Sequence, residues 1–447
     1  GQFLGLFSGV TWVCHWHSRL PRERIQNVQA SRPSRKMWTA RREHSPGGLL
    51  SLLSHIPRVP STLPELMFVT QGGSTVTSKE RMLAATRLEI PDMVPVAPDT
   101  SNMIPCRLTG KAFWDIYLYQ DPPLWKAYID CCKHFNFDGW LPSATNFALR
   151  RDLDPEITKI VVRDDETIIT RDCRAENGKR TWSDRVNVYY RDNPPTHGLK
   201  ADTIGMPDSH DAFEEVEGIR EWPKGKEMFE IIRAYMGDAG IVGGGVGLPS
   251  LGKEAEGVFQ YYDDPEGARE RLERMEEAHW QLAHRVIELE PDFLMLGVSG
   301  YITLHGPVIA RELGLRTLQR VTALAKKHGL PTHLHCCGFE RALVEMAANE
   351  SDLNLINPLE PPPMGDCDLA EIKRTFGSKI ALMGNLHTTG VMLLGTPDEV
   401  ADAAKWCIDV AAEGGGYILS TGDQCGRDTP DENIRTLIDV ARSYGTY

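Results

Sequence analysis

Eight short apolar runs, each bounded by Pro, Gly or Asp, constrain the fold of this 447-residue chain more than any other feature. Amphipathic segments such as residues 265–290 and 316–329 lie between them, and most runs are a helix-length apart. Continuous apolar strands that alternate with helices indicate a parallel sheet covered on both faces. Eight is the strand number of a (β/α)8 TIM barrel, so we predict an α/β chain with that fold. The predicted strands are DMVPVAP (92–98), FDGWLP (137–142), GIVGGGVGLP (240–249), DFLMLGVSG (292–300), PTHLHCCG (331–338), LNLINPLE (353–360), KIALMGNL (379–386) and GGYILSTGD (415–423).

One region interrupts this alternation after the second predicted strand. ITKIVVRDDETIITRDCRA (157–175) and RVNVYYRD (185–192) are rich in β-branched and aromatic residues. Such runs are typical of paired strands. They predict an inserted β-hairpin or small antiparallel sheet at about residues 155–195.

The first 66 residues differ in composition from the rest of the chain. They hold nine Lys or Arg residues against three acids, a net charge of +6, so the total of −13 leaves −19 for residues 67–447. This Ser- and Arg-rich segment is compatible with a transit peptide, with an upstream start that is not the native one, or with a structural arm. We expect the barrel to lie in residues 67–447.

Charge, hydropathy and cysteine spacing narrow the function classes. The net charge of −13 argues against a nucleic-acid-binding protein, which normally has a basic surface. No apolar run approaches the roughly 18 residues that a membrane span needs. The ten cysteines include two adjacent pairs and do not have the spacing of a disulfide scaffold. We expect reduced thiols and a cytoplasmic location, with an organellar transit role of residues 1–66 left open.

The fifth predicted strand carries the most informative motif, because HLHCC places two histidines and two cysteines in five positions. In such a barrel the functional residues lie at the C-terminal ends of the strands. Side chains alternate along a strand, so His335 and Cys337 point the same way and Cys336 points oppositely. We expect His333 to line the barrel below the site. Cys425 follows the eighth strand and can face His335 and Cys337 across the mouth.

An imidazole and two thiolates form a common catalytic zinc set with the fourth coordination position open. Sulfur ligands favour zinc over magnesium or calcium. The alternative is simple packing, since a buried cysteine usually behaves as a small hydrophobic residue. A redox pair of Cys336 and Cys337 is disfavoured, because adjacent thiols on opposite faces of a strand cannot form a disulfide without distortion.

Four motifs resemble the uroporphyrinogen decarboxylase superfamily. They are HCCG (335–338), LMGNLHTTGVMLLGTPDEV (382–400), GGYILSTGDQCGRDTPDENIRTLIDVARSYG (415–445) and SKERMLAATRLEIPDMVPV (78–96). The last is similar to the opening helix and first strand of that family. The resemblance covers about residues 78–445 and implies a (β/α)8 barrel, in agreement with the strand count.

This superfamily contains two chemistries. Its decarboxylases need no metal and bind a carboxylate-rich tetrapyrrole with arginines near the first strand, but VPVAPDTSNMIP (94–105) has no arginine. Its zinc methyltransferases, which work with corrinoid proteins, have an HxCG motif on the fifth strand and a cysteine after the eighth. His335, Cys337 and Cys425 match that pattern, so the resemblance implies that these three side chains bind Zn²⁺.

The resemblance therefore implies a zinc-dependent methyltransferase. Such an enzyme moves a methyl group between a small methylated substrate or a thiol and the cobalt of cobalamin, and it includes components of O-demethylases. The cobalamin would arrive on a separate corrinoid protein that docks over the barrel mouth. Two alternatives stay open: a metal-free enzyme similar to uroporphyrinogen decarboxylase, and a non-catalytic binding barrel.

Two residues after the fourth strand are candidates for catalytic roles. SGYITLHGP (299–307) is predicted to be a loop that lines the substrate site. Within it, Tyr301 and His305 are expected to orient a leaving group. The alternative for both is ordinary loop polarity.

Three further polar residues are expected near the mouth: Glu360, Asn385 and Asp423. One of them is predicted either to fix the tautomer of His335 or to act as a weak fourth metal ligand that substrate displaces. Asp423 is equally compatible with capping its own loop, and Asn385 with a backbone contact. We include Glu360 and Asp423 among the candidate catalytic residues.

Overall fold

The computed structural model describes residues 76–252 and 255–447. The predictions for residues 1–66 lie outside these ranges. The strands of the described residues fall into two sheets. In chain order they are β1 (Gly139–Leu141), β2 (Thr158–Arg163), β3 (Thr167–Glu176), β4 (Lys179–Tyr190), β5 (Thr196–Lys200), β6 (Glu214–Glu215), β7 (Gly240–Gly245), β8 (Phe293–Gly297), β9 (Thr332–His335), β10 (Leu355–Asn357), β11 (Ala381–Leu386) and β12 (Tyr417–Thr421).

The larger sheet has seven parallel strands in the order β1-β7-β8-β9-β10-β11-β12. Each of them lies inside one predicted apolar run, from the second run (137–142) to the eighth (415–423). Nearly all of their residues are buried. Strands covered on both faces are continuously apolar, which explains why the runs predicted them well. The chain is therefore a mixed α/β protein with a curled parallel sheet.

The first predicted run, residues 92–98, is not a regular strand but makes backbone contacts on both sides. Val96 forms a parallel bridge with Leu419 of β12, and the Leu419 N–H donates to the Pro95 carbonyl (2.9 Å). On the other side, the N–H of Asp138, which precedes β1, donates to the Val96 carbonyl (2.8 Å). The segment therefore lies between the two outermost strands of the larger sheet.

Thirteen α-helices occur in the described residues, and several pack against strands of the larger sheet. None of these helices is long and apolar enough to cross a membrane. The helices are α1 (Ser78–Thr86), α2 (Met103–Leu108), α3 (Phe113–Tyr117), α4 (Leu124–Phe135), α5 (Thr145–Ala148), α6 (Gly225–Met236), α7 (Ala255–Asp263), α8 (Pro265–Ile287), α9 (Tyr301–Lys327), α10 (Arg341–Glu350), α11 (Leu369–Phe376), α12 (Pro397–Ala411) and α13 (Asp431–Tyr444).

The start of α9 differs from the prediction. Residues 299–307 were predicted to be a loop, but α9 begins at Tyr301 and is kinked at Gly306 (φ +71°) and Pro307. Gly and Pro usually mark loops, whereas here they bend a helix. Ile302 and Ile309, on either side of the kink, are both buried. The loop prediction was wrong because this packing outweighs the local signal.

The smaller sheet is antiparallel, with the order β5-β4-β3-β2-β6, and spans residues 158–215 between β1 and β7 of the chain. The hairpin predicted at about 155–195 corresponds to β2, β3 and β4. The sheet extends beyond that prediction because β5 and β6 are short and polar, and so give no apolar signal. A separate apolar cluster packs against it and includes Leu118, Ile160 and Tyr189.

The interior of the larger sheet is an apolar layer that contains His333 of β9. The His333 ring stacks on Phe293 (centroids 3.9 Å apart) and its Nδ1 accepts a hydrogen bond from Trp140 Nε1 (3.2 Å). Complete burial lowers the pKa of His333 to about 3, so the ring is neutral. His333 therefore packs inside the sheet, in agreement with its expected place below the site.

Asp138 joins the first and last helices at the N-terminal end of the strands. Its carboxylate is completely buried and pairs with Arg81 of α1 (2.7 Å) and Arg442 of α13 (3.0 Å). It also accepts the Val96 N–H (2.8 Å). Both oxygens of this buried carboxylate therefore face donors, which is the condition under which a buried carboxylate is tolerated.

Candidate metal centre

The C-terminal ends of β9 and β12 bring together His335, Cys337 and Asp423. One donor atom from each of these side chains lies within 4.8 Å of the other two, and all three residues are buried. His335 Nε2 lies 3.8 Å from Asp423 Oδ1. His335 and Cys337 therefore lie on the same side of the chain, as the HxC motif predicted. Both face the carboxylate of Asp423, which follows β12.

Gly338 explains why the motif ends on glycine. Its φ is +87°, and a Cβ atom there would lie 2.3 Å from Thr303 Oγ1 of α9. Thr303 Oγ1 also accepts the Phe339 N–H (2.9 Å), while the Gly338 N–H donates to Glu360 Oε2 (2.6 Å). The chain therefore turns sharply after Cys337, and this turn holds the thiol at the end of β9.

Asn357, at the end of β10, is a site residue that the sequence analysis missed. It is paired in register with His335 on the neighbouring strand. Its Nδ2 lies 3.1 Å from His335 Nδ1, so Nε2 is the ring nitrogen turned towards Asp423. The register of parallel strands was the only signal that could have found it, because Asn-Pro in the sequence indicates a turn.

Four buried carboxyl groups surround this part of the molecule: Asp99, Glu340, Glu360 and Asp423. Burial raises the pKa of Asp99 to about 6 and holds the pKa values of Glu340 and Asp423 well above their ordinary range. The pKa of Glu360 is also raised by burial, against the opposing effect of the Gly338 N–H. Burial therefore disfavours the charged forms of all four carboxyl groups, and repulsion adds to this effect at Asp423 and Glu340.

Cys425 does not belong to the group formed by His335, Cys337 and Asp423. It is completely buried, its Sγ is near the hydroxyls of Thr421 and Thr429, and burial raises its pKa to about 12. Its backbone N–H donates to the Asp99 carbonyl (2.8 Å). The structure thus differs from the predicted ligand set, because it places Asp423, and not the thiol two residues later, beside His335.

Tyr301 and His305 lie on the first turns of α9 and are both buried. The Tyr301 hydroxyl donates to the Pro249 carbonyl (2.8 Å), and burial raises its pKa. His305 Nε2 is 3.2 Å from Ser250 Oγ, and burial lowers the pKa of His305. Both side chains therefore hold the segment that follows β7. Their direct roles towards a leaving group stay predictions.

Asn385 and Glu360 both make contacts to backbone near the mouth. Asn385 Nδ2 donates to the Leu359 carbonyl (2.9 Å), which is the structural alternative expected for that residue. Glu360 accepts the Gly338 N–H, so it supports the turn after Cys337. The roles of Glu360 and Asp423 in catalysis stay predictions.

The residues present fit a zinc ion. Imidazole nitrogen, thiolate sulfur and carboxylate oxygen are all donors that zinc accepts. Asp423 Oδ1 is buried and has no hydrogen-bond partner, so an acceptor lone pair is available inside the group. The nine described cysteines form no disulfide, so Cys337 can serve as a thiolate. The same donor set would fit poorly with magnesium or calcium, which prefer oxygen ligands only.

A family comparison agrees with the site. Residues 254–444 match the model of the uroporphyrinogen decarboxylase family. That range includes β8 to β12 and therefore His335, Cys337, Asn357, Glu360 and Asp423. Uroporphyrinogen decarboxylase of Coxiella burnetii is 27% identical over 77 residues, which cover 17% of this chain and 21% of that protein.

Two methyltransferases are similar over longer stretches. Methylcobamide:CoM methyltransferase MtaA of Methanosarcina barkeri is 26% identical over 224 residues, 49% of this chain, and the match spans only 62% of that relative. A solved methyltransferase of Methanosarcina mazei superposes with a TM-score of 0.55 at 16% identity, covering 83% of this chain and 99% of that one. Residues 254–444 thus match the uroporphyrinogen decarboxylase family, and the predicted resemblance of the chain to this superfamily and to its methyltransferase branch is confirmed.

Proposed function

We propose that this protein is a zinc-dependent methyltransferase that moves a methyl group between a small methylated substrate or a thiol and the cobalt of a corrinoid protein. A component of an O-demethylase is one form of this activity. The observation that carries the proposal is the convergence of His335, Cys337 and Asp423. It occurs in a chain that is similar to a methylcobamide:CoM methyltransferase.

His335 and Cys337 are the proposed core of the metal site, and two residues of one loop compete for the third position. Asp423 supplies an oxygen donor in the described arrangement. Cys425 is retained as the proposed thiolate ligand, with Asp423 as the donor that substrate displaces. Glycines flank this loop at positions 422 and 426, and a Cβ at Gly426 would meet no atom within 4 Å. That space supports a rearrangement of the loop.

The protein's own side chains would prepare the site for methyl transfer. Zinc, when bound, supplies a Lewis acid that lowers the pKa of a bound thiol or stabilises a departing oxygen or sulfur anion. Burial of His335, Cys337 and Asp423 excludes water, which strengthens electrostatic interactions with any bound substrate. Tyr301 and His305 are proposed to orient the substrate through the segment after β7 that they hold.

The fold would serve this reaction as a complete (β/α)8 barrel. We infer that residues 92–98, the first run in chain order, act as the strand that completes the barrel. Their backbone hydrogen bonds to β12 and to Asp138 support this inference. The antiparallel sheet is then an insertion between two barrel strands. Thiolate ligands need reducing conditions, so we place the reaction in the cytoplasm.

Four exposed apolar side chains on the segments that follow three site-forming strands, here called the apolar strip, support docking of a partner protein. Leu304, Val308, Phe339 and Met364 are between 43% and 69% exposed and lie on the segments that follow β8, β9 and β10. Phe339 is two residues after Cys337. Exposed apolar patches are typical of interaction surfaces. We propose that a corrinoid protein rests on this strip and brings cobalamin and its methyl group to the site, with no role for nucleic acid or membrane.

The second candidate is a metal-free enzyme similar to uroporphyrinogen decarboxylase, which the short match to the Coxiella burnetii protein favours. It is disfavoured because the described mouth gathers buried carboxylates, which repel a polycarboxylate substrate. A non-catalytic binding barrel is the third candidate. It would bind metal without any transfer of methyl groups.

Elemental analysis of protein purified without chelator tests the proposal, with Cys337→Ser and Cys336→Ser as a matched pair. Both cysteines are buried, but only Cys337 belongs to the metal group, while Cys336 packs in the hydrophobic core. We expect about one zinc per chain in the wild type and in Cys336→Ser, and its loss in Cys337→Ser. A wild type without zinc would instead favour the decarboxylase-like candidate.

Activity is tested with a reduced corrinoid protein and a panel of methyl donors: methoxylated aromatics, methanol, methylamines and methyl thiols. Methyl transfer to cobalt is followed by the change in corrinoid absorbance. We expect at least one donor to react in a zinc-dependent way. Zinc-loaded protein that transfers no methyl group in either direction would favour a binding barrel.

A further inference from the structure

The carboxamide of Asn357 occupies a defined position beside the proposed ligand His335. The two residues are paired in register on β10 and β9, and Asn357 is buried. Asn357 Nδ2 lies 3.1 Å from His335 Nδ1. The backbone carbonyl of Asn357 separately accepts the Cys336 N–H (3.0 Å). The side chain of Asn357 therefore contacts the imidazole, while its backbone carbonyl forms a hydrogen bond to the neighbouring strand segment.

Asn357 Oδ1 is buried and has no hydrogen-bond partner. An amide presents an acceptor and a donor of nearly equal size, so rotation by 180° exchanges them without changing the shape of the side chain. With Oδ1 turned to the ring, Asn357 accepts a hydrogen bond from Nδ1–H. The Nε2 lone pair then faces Asp423, whose Oδ1 lies 3.8 Å away.

A histidine that binds metal through Nε2 carries its proton on Nδ1, and that N–H needs an acceptor. Three of the buried acids near the site make other contacts: Glu340 accepts the Leu359 N–H (2.9 Å), Glu360 accepts the Gly338 N–H (2.6 Å), and Asp423 lies on the Nε2 side of the ring. The Asn357 amide lies 3.1 Å from Nδ1 and is placed to serve this nitrogen.

We propose that Asn357 is the positioning residue of the metal centre: its amide oxygen holds Nδ1–H of His335 and so presents Nε2 to the ion. This inference rests on the proposed metal site and extends it to a residue outside the HxCG and Cys425 motifs. The amide supplies this acceptor without adding an ionisable group to the three buried carboxyl groups of Glu340, Glu360 and Asp423.

The test compares zinc affinity among variants of the full chain, measured by competition with a chromogenic chelator. Asn357→Leu removes the acceptor at similar volume, and we expect its zinc affinity to fall 10- to 100-fold. Asn357→Asp restores an acceptor, so we expect its affinity to stay within about threefold of the wild type. Asn357→Ala is the second truncation, used in place of Asn357→Leu where the larger side chain prevents folding.

The visible spectrum of the Co²⁺-substituted protein gives a readout that a structural role would not move. Removal of the acceptor leaves the imidazole free to turn or to change tautomer, so we expect the ligand-field bands to shift in Asn357→Leu and in Asn357→Ala. We expect the bands of Asn357→Asp to resemble those of the wild type.

Asn354→Leu is the matched control, because Asn354 directly precedes β10 at the end opposite Asn357. Asn354 Oδ1 accepts the Thr332 N–H (2.9 Å), far along β9 from the ligand, so its loss should lower stability and leave zinc affinity unchanged. Equal zinc affinity in Asn357→Leu and the wild type would overturn the positioning role alone, as would an equal loss in Asn354→Leu. A wild type that binds no zinc would overturn the proposed function as well.

Discussion

The two ends of the parallel sheet differ in whether their buried carboxylates form ion pairs with Lys or Arg. At the N-terminal end, Asp138 pairs with Arg81 and Arg442, and Asp292 pairs with Lys79 (2.6 Å) and accepts the Val242 N–H. Each of these charges is neutralised by a side chain of the protein. The buried carboxylates at this end are therefore stabilised by the protein's own side chains and need no ligand.

At the C-terminal end, Asp99, Glu340, Glu360 and Asp423 form no ion pair with Lys or Arg within the described part of the chain. Asp423 Oδ1 and Glu340 Oε1 are buried without hydrogen-bond partners. Burying a carboxylate without compensation is costly. Ion pairs thus stabilise the ionised carboxylates at the N-terminal end, whereas burial without ion pairs favours the protonated carboxyl groups at the C-terminal end, where we propose that a cation binds.

The largest effect is expected from two histidines on the same strand. His335→Ala should lose stoichiometric zinc and all zinc-dependent transfer, because it removes one of the proposed metal ligands. His333→Ala should keep one zinc per chain and lose about 1–3 kcal/mol of stability, because Trp140 Nε1 is left without its acceptor. Elemental analysis and thermal unfolding measure both. Loss of zinc in His333→Ala would contradict the assignment of His333 to the packed interior and of His335 to the proposed metal site.

The second prediction addresses the N-terminal end. Asp138→Asn should lower the free energy of unfolding by about 3–5 kcal/mol, since it leaves the buried Arg81 and the partly exposed Arg442 guanidinium groups facing a neutral amide. Chemical denaturation measures the change. Zinc content of the folded fraction should stay at the wild-type value.

The control for Asp138 is an exposed ion pair. Lys111 and Asp121 are 2.7 Å apart but both about half exposed. Asp121→Asn should change the free energy of unfolding far less than Asp138→Asn, because solvent screens an exposed ion pair. A similar effect of the two substitutions would show that the Asp138 network contributes no more than a surface pair.

Seven strands of the fold were predictable because their burial on both faces produces an unbroken apolar run. The first run, 92–98, was recognised, but its contacts through single bridges were not, since irregular pairing has no sequence pattern. The antiparallel sheet was underestimated at β5 and β6, which are polar and half or fully exposed. Its extent depends on tertiary contacts with β4 and β2.

The site was predictable where strand parity fixes direction and not where a loop does. His335 and Cys337 follow from alternation along β9. Asp423 and Cys425 lie beyond β12, where the positive φ of Asp423 (+102°) breaks that alternation. Asn357 was missed because its role comes from the register between two strands, which are 22 residues apart at this point.

The third prediction concerns the free energy of burying the Asp99 carboxylate, which has no cationic partner among the described residues. Burial raises the pKa of Asp99 to about 6, compared with about 3.9 in an unfolded chain. Below pH 4 the group is protonated in both states. Between about pH 4 and 6 only the unfolded state releases its proton, so stability falls as pH rises, and the loss is complete above the folded-state pKa.

Asp99→Asn removes this titration while keeping an oxygen to accept the Ser101 N–H. In metal-free protein we expect the variant to be more stable than the wild type at pH 7, by at most about 3 kcal/mol, and equal to it at pH 4. Denaturation of both proteins across pH 4–8 measures the difference. A constant difference over that range would show that Asp99 is not strained by burial as a charge.

The smallest effects separate the two loop residues that compete for the third ligand position. If Cys425 turns into the site when metal binds, Cys425→Ser should weaken zinc binding by at least roughly tenfold, and Asp423→Asn by less than that. The described arrangement, with Asp423 beside His335 and Cys425 near Thr421 and Thr429, favours the reverse order if the loop keeps its place. Chelator competition ranks the two variants. Wild-type affinity in Cys425→Ser would make Cys425 a packing residue and leave the mouth with nitrogen, sulfur and oxygen donors, a harder ligand set than that of two thiolates and an imidazole.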